Sequence, residues 1–282
     1  TLSVSYMKSR QHIKTTATPR SERLKKMQDT AKKMSALARK KIINTKRINV
    51  TGSITRQLGI MTIPKAIETK GTIMSTNGTV LTVKLSGELM RKLKDIYAMT
   101  ERDDFEYAGL VECSFDMNYV NFNSPTIRTN RLPGSVYFPR RTAQTKLMYH
   151  SHPAPTTNSR AKIVTFPSAP DLRIYVNNHQ DGVLEANLIL DQQGVYIIDV
   201  VRPINTFNAD NMFETAVYEM GKKGAFDYIV GDNILAMNVD IKRWKTFINS
   251  DINSKMITKF GVSVMFYTWN ELPTVRISAL SQ

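Results

Sequence analysis

The chain has a single cysteine, Cys113, in 282 residues, which excludes an internal disulfide and any cysteine-rich zinc module. That scarcity points to a reducing, intracellular setting. No apolar run approaches the roughly 18 residues that a membrane span requires, so none is expected. The first thirty residues are basic and polar and lack an apolar stretch, so no secretory signal is expected either. Histidine is also scarce, with four in the whole chain, and this confines imidazole chemistry to very few positions. What is present is ordinary for a soluble protein: 41% hydrophobic and 22% charged residues fit a packed core with a solvated surface.

Charge is distributed unevenly. Of the net +15, residues 1–50 supply 14 Lys and Arg against 2 Asp and Glu, leaving only 25 against 22 for the other 232 residues. Residues 1–50 therefore read as a basic arm. Within it Ser21 can cap a helix on which Leu24, Met27, Ala31, Met34 and Ala38 recur at spacings of three and four. Such an arm is expected to dock on nucleic acid, an anionic surface, an acidic partner or a neighbour in an assembly. Residues 51–70 read as a linker.

Regular structure is expected from Gly71. Two β-prone runs over 71–85 flank Asn77-Gly78, a hairpin signal. A helix capped by Ser86 carries Leu89, Leu93, Ile96 and Tyr97 on one face and runs to Met99. Strands are expected over 106–115, 119–122 and 146–151. A helix begins near Ser168, with Leu172, Tyr175, Val176 and His179 at helical spacing. A hairpin over 183–201 turns at Asp191-Gln192-Gln193-Gly194. The remaining third predicts helices over 209–222 and 239–252 and strands over 261–269 and 274–279. Helices mixed with antiparallel hairpins give an α/β or α+β core.

The informative string is Tyr149-His150-Ser151-His152-Pro153, followed by Ser168-Ala169-Pro170-Asp171. Side chains alternate along a strand, so His150 and His152 share one face and Ser151 points to the other. Two adjacent imidazoles with Asp171 as a third ligand suit a zinc ion that keeps one position open for water. Hydrolysis would then need a carboxylate that does not bind metal, and a donor for the oxyanion, for which Ser168 is placed. Ser168-x-x-Asp171 is also a capping-box pattern.

These strings resemble the signature of the JAMM (MPN+) metalloprotease family: His-Ser/Thr-His-Pro, Ser-x-x-Asp, and an upstream strand reading Glu-x-x-Gly. The last is matched by Glu106-Tyr107-Ala108-Gly109. The resemblance covers residues 71–205, and it implies an MPN-like three-layer α/β core with a mixed β-sheet flanked by helices. Residues 206–282 would form an α+β extension packing on that core. It further implies that Glu106 is the general base, that His150, His152 and Asp171 bind Zn2+, and that Ser168 steadies the oxyanion. The implied activity is hydrolysis of an isopeptide or peptide bond, with ubiquitin or a ubiquitin-like protein as substrate. Glu112 lies on the same strand face as Glu106 and is a substitute candidate. Residues 153–167 make a longer interval than the family's usual one, and Ala154 replaces its usual glycine. The rival expectation is a structural component of a large assembly, such as a capsid, virion or nucleoprotein complex, anchored by the basic arm.

Overall fold

The computed structural model describes residues 69–278, apart from 117–118, 130, 132–144, 155–161, 183, 204–208, 224–225 and 232. The basic arm, its helix, His12 and nearly all of the linker lie outside the described residues.

The hairpin at Asn77-Gly78 is β1 (Thr69–Asn77) and β2 (Val80–Lys84), with Gly78 at φ 59°, a left-handed conformation that glycine adopts without a Cβ penalty. Strand β1 begins inside the stretch read as linker. Ser86 then caps α1 (Gly87–Asp103), its hydroxyl accepting from Leu89 N at 3.0 Å. The helix runs four residues past Met99 and ends at Asp104, which takes a left-handed conformation. Next come β3 (Ala108–Phe115), β4 (Tyr119–Phe122), β5 (Thr145–Ser151), β6 (Ile163–Phe166), α2 (Ala169–Gln180), β7 (Ala186–Asp191) and β8 (Gly194–Val200). The last third holds α3 (Ala209–Lys223), β9 (Tyr228–Val230), β10 (Ile234–Met237), α4 (Ile241–Thr246), a π-helical stretch (Phe247–Ile252), α5 (Asn253–Phe260), β11 (Val262–Thr268) and β12 (Thr274–Ser278).

Among the described residues, nine strands form one mixed sheet in the order β11-β8-β7-β5-β3-β4-β1-β2-β12, in which β5 and β7 run parallel and the other neighbours antiparallel. The sheet curls. Asp199 on β8 accepts from Arg276 N at 3.0 Å and from its guanidinium at 2.6 Å, although β12 lies at the far end of the strand order. Strands β7 and β8 are buried almost throughout, as central strands covered on both faces must be. Their alternation feeds two cores. Leu188, Leu190, Val195 and Ile197 join Leu89, Leu93, Ile96 and Tyr97 of α1. Ile189, Tyr196 and Ile198 join Leu172, Tyr175 and Val176 of α2 and the helices of the last third, including Trp244. The molecule is thus mixed α/β, a large curled sheet flanked by helices.

Three expectations need correction. Residues 153–167, read as loop, contain β6, which pairs with β10; with β9 they make a separate three-stranded sheet. The strand expected from Glu106 starts at Ala108. The helix expected to stop at Ile252 continues to Phe260 through the π-helical stretch. The last has a local cause. Asn249 bonds both backbone groups of Phe266 (2.7 and 3.0 Å), and Asn253 accepts from Val264 N at 2.9 Å. Poor helix formers are held in the helix because they satisfy the outer edge of β11.

Candidate metal centre

The site lies on the α2 face of the sheet, where β3 begins and β5 and β7 end. Pairing of β3 with β5 sets Ala108 opposite His150, and parallel pairing sets His150 beside Ile189. His150 and His152 project from this face, both buried. Ser151 points the other way, as strand periodicity requires. Its hydroxyl meets Thr100 Oγ1 of α1 at 2.5 Å and accepts from Tyr107 N at 2.9 Å, while Ser151 N donates to Tyr107 O. A side chain thus replaces a backbone acceptor here, which is why the regular ladder starts only at Ala108. Carried one residue further, the register sets Glu106 across from His152.

Asp171 arrives from the first turn of α2. Ser168 caps that helix in a complete capping box: Ser168 Oγ accepts from Asp171 N at 3.2 Å and Asp171 Oδ2 accepts from Ser168 N at 2.7 Å. The same carboxylate turns toward the histidines. Asp171 Oδ1 lies 3.0 Å from His150 Nε2, Oδ2 lies 3.3 Å from His152 Nε2, and the two Nε2 atoms are 3.1 Å apart. The capping-box partner of Ser168 and the candidate ligand are therefore one residue. Donors bound at about 2.0–2.1 Å in tetrahedral geometry sit about 3.3 Å from one another. Each imidazole meets a different oxygen of the carboxylate at close to that spacing, and one donor atom from each residue lies within 4.8 Å of the others, so His150, His152 and Asp171 form a buried group that can hold a metal ion.

Electrostatics favour a cation here. Burial alone would raise the Asp171 carboxyl, but the two imidazoles outweigh it and hold it well below the usual carboxylate range. Burial would lower His152, yet Asp171, with Glu106 and Asp191, drives it upward. Glu106 is half-buried and is itself pushed up by burial, tempered by both imidazoles. That mutual influence places Glu106 beside the triad. Glu112, the substitute candidate, is excluded by register: it pairs with Thr145, four residues or about 13 Å along the strand from Ala108.

Gly109 explains the glycine of Glu-x-x-Gly. A Cβ there would lie 1.7 Å from Thr126 O and 2.6 Å from the Tyr149 ring, so the backbone beside His150 tolerates no side chain. Among the other singled-out residues, Cys113 is buried in the α1-side core and acts as a small hydrophobe. His179 is half-buried, with Nδ1 2.8 Å from Leu184 O, away from the triad. Asp191, read from sequence only as part of a turn, proves buried and close enough to shift His152. No helix among the described residues is long and apolar enough to cross a membrane. Comparison with protein-family models, curated proteins and solved structures gave no match.

Proposed function

We propose that the chain is a zinc-dependent isopeptidase of the JAMM (MPN+) class acting on ubiquitin or ubiquitin-like conjugates. The observation that carries this reading is the convergence of His150 Nε2, His152 Nε2 and one Asp171 carboxylate within 3.3 Å, with Glu106 in the same row. The chain order of helix, Glu-x-x-Gly strand, His-Ser-His-Pro strand and Ser-x-x-Asp helix start supports an MPN-like core.

His150, His152 and Asp171 would hold the zinc, which when bound supplies Lewis-acid polarisation and a nucleophile active at neutral pH. Glu106 stands outside the His150, His152 and Asp171 ligand group, and its raised affinity for protons suits it to take one from the attacking water and return it to the departing amine. The Ser168 hydroxyl accepts from Asp171 N, which leaves its own hydrogen for donation to the carbonyl oxygen as negative charge develops. His150 sits on β5, Asp171 on α2 and Ser168 at its cap, while His152 and Glu106 lie one and two residues beyond the ends of β5 and β3, which limits reorganisation during the reaction.

The test is Glu106→Gln, assayed on ubiquitin chains with zinc content measured by mass spectrometry. Cleavage falls by at least about 100-fold while stoichiometric zinc is retained. Unchanged turnover removes Glu106 from the mechanism. A role within a large assembly is compatible with this activity, and the +12 charge of residues 1–50 favours it.

A further inference from the structure

Asp191 is 1% exposed, and a carboxylate so deeply buried needs partners that offset its desolvation. Two backbone donors hold it: Thr165 N at 2.7 Å and Gln193 N at 3.1 Å. Burial nevertheless pushes its carboxyl up to about 6.

Its surroundings connect it to the metal centre by two routes. The first is across the sheet. His150 pairs with Ile189 in parallel register, and His152 N still donates to Leu190 O at 2.9 Å. Two residues beyond that pair, His152 and Asp191 are neighbours on one face. His152 thus stands between Glu106 on β3's side and Asp191 on β7's side. Two neutral imidazoles and one carboxylate leave a divalent cation with a net positive charge, which flanking carboxylates offset.

The second route is through β6. Asp191 Oδ2 holds Thr165 N, and Gln192 Oε1 holds Ile163 N at 3.0 Å. Side chains of the β7–β8 turn therefore satisfy alternate donors along one edge of β6, while β10 pairs with the other. Thr165 lies three residues before Ser168, so the position of β6 decides where the capping box, and with it Asp171, meets the histidines.

We propose that Asp191 is a positioning residue of the metal centre, supporting His152 by its charge and delivering Asp171 by its hold on β6. This rests on the metal-binding reading above. Asp191 makes no hydrogen bond to His152, whose buried Nδ1 has no partner, so it acts on that imidazole through space; loss of an outer carboxylate weakens metal binding about 10- to 100-fold.

The experiment uses the full chain and its D191N and D191E variants. Zinc affinity is measured by competition with a chelating dye, coordination by the visible absorption of the cobalt(II) form, and folding by thermal unfolding. D191N is expected to bind zinc about 10- to 100-fold more weakly. D191E, which restores the charge with displaced oxygens, should fall between D191N and the parent and show an altered cobalt spectrum. D191N within twofold of the parent overturns the proposal, as does a D191E no tighter than D191N. If D191N loses its cooperative transition, D191E decides: parental affinity and spectrum overturn the proposal, and a several-fold loss with a changed spectrum supports it. A parent chain that binds no zinc overturns the metal reading as well. One that binds zinc but cleaves nothing defeats only the peptidase activity and leaves the role of Asp191 standing.

Discussion

Gly109→Ala tests whether the ground beneath the histidines is as tightly built as its geometry implies. The added Cβ would sit 1.7 Å from Thr126 O and 2.6 Å from Tyr149 Cε1 and Oη, against an ordinary contact distance of at least 3.4 Å. The 124–128 segment must therefore withdraw. The hydrogen bonds at Thr126 bear the strain first: Tyr149 Oη donates to Thr126 O, Leu110 N to Thr126 Oγ1 at 2.9 Å, and Thr126 N to Leu110 O at 3.0 Å. At about 0.5–1.5 kcal/mol apiece, their loss predicts a destabilisation of about 2–4 kcal/mol, within the range seen for overpacked sites. Urea unfolding followed by tryptophan fluorescence measures it. Zinc affinity should fall too, because the alternative to moving Thr126 is to push Tyr149, the residue before His150. A loss below about 1 kcal/mol with unchanged zinc affinity would refute the packing argument.

Asn249→Ala removes both hydrogen bonds to the Phe266 backbone and should cost about 1–3 kcal/mol, read as a lower urea midpoint, with greater aggregation from the unsealed β11 edge. Arg276→Met leaves Asp199 buried without its cation. The loss should be about 3 kcal/mol at pH 8 and smaller at pH 5, because burial already raises the Asp199 carboxyl to about 6 and below that it takes a proton and sheds its charge. A pH-independent loss, measured by thermal unfolding across that range, would contradict the assignment of the charge.

The cluster of His150, His152 and Asp171 was legible because each part is encoded locally. His150 and His152 are two apart on one strand, and Ser168 and Asp171 are three apart at one helix start, so periodicity and capping chemistry suffice. The relation of Glu106 to them depends on strand register, which the sequence does not display, and only pairing separates Glu106 from Glu112. Strand β6 was missed because its four residues are too short to stand out, and its partner β10 begins about 70 residues later. Asp191 was invisible for a similar reason: it sits in a turn by sequence, and beside His152 only once β5 and β7 lie parallel. The helix past Ile252 was obscured by Asn249, Ser250, Asp251 and Asn253, whose helix propensity is poor but whose retention follows from the strand they bond.

Strands β11 and β12 occupy the two borders of the nine-stranded sheet, and β12 pairs with β2, almost two hundred positions earlier. During synthesis, then, the histidines emerge long before the sheet that carries them is finished. At 5–20 residues per second, roughly 6–25 s separate the making of His150 from that of Ser278. Throughout that interval β2 offers an unpaired border to any passing chain. A nascent polypeptide of this design depends on chaperone shelter late in translation, and stop codons just before residue 274 should yield aggregates instead of a shortened folded chain.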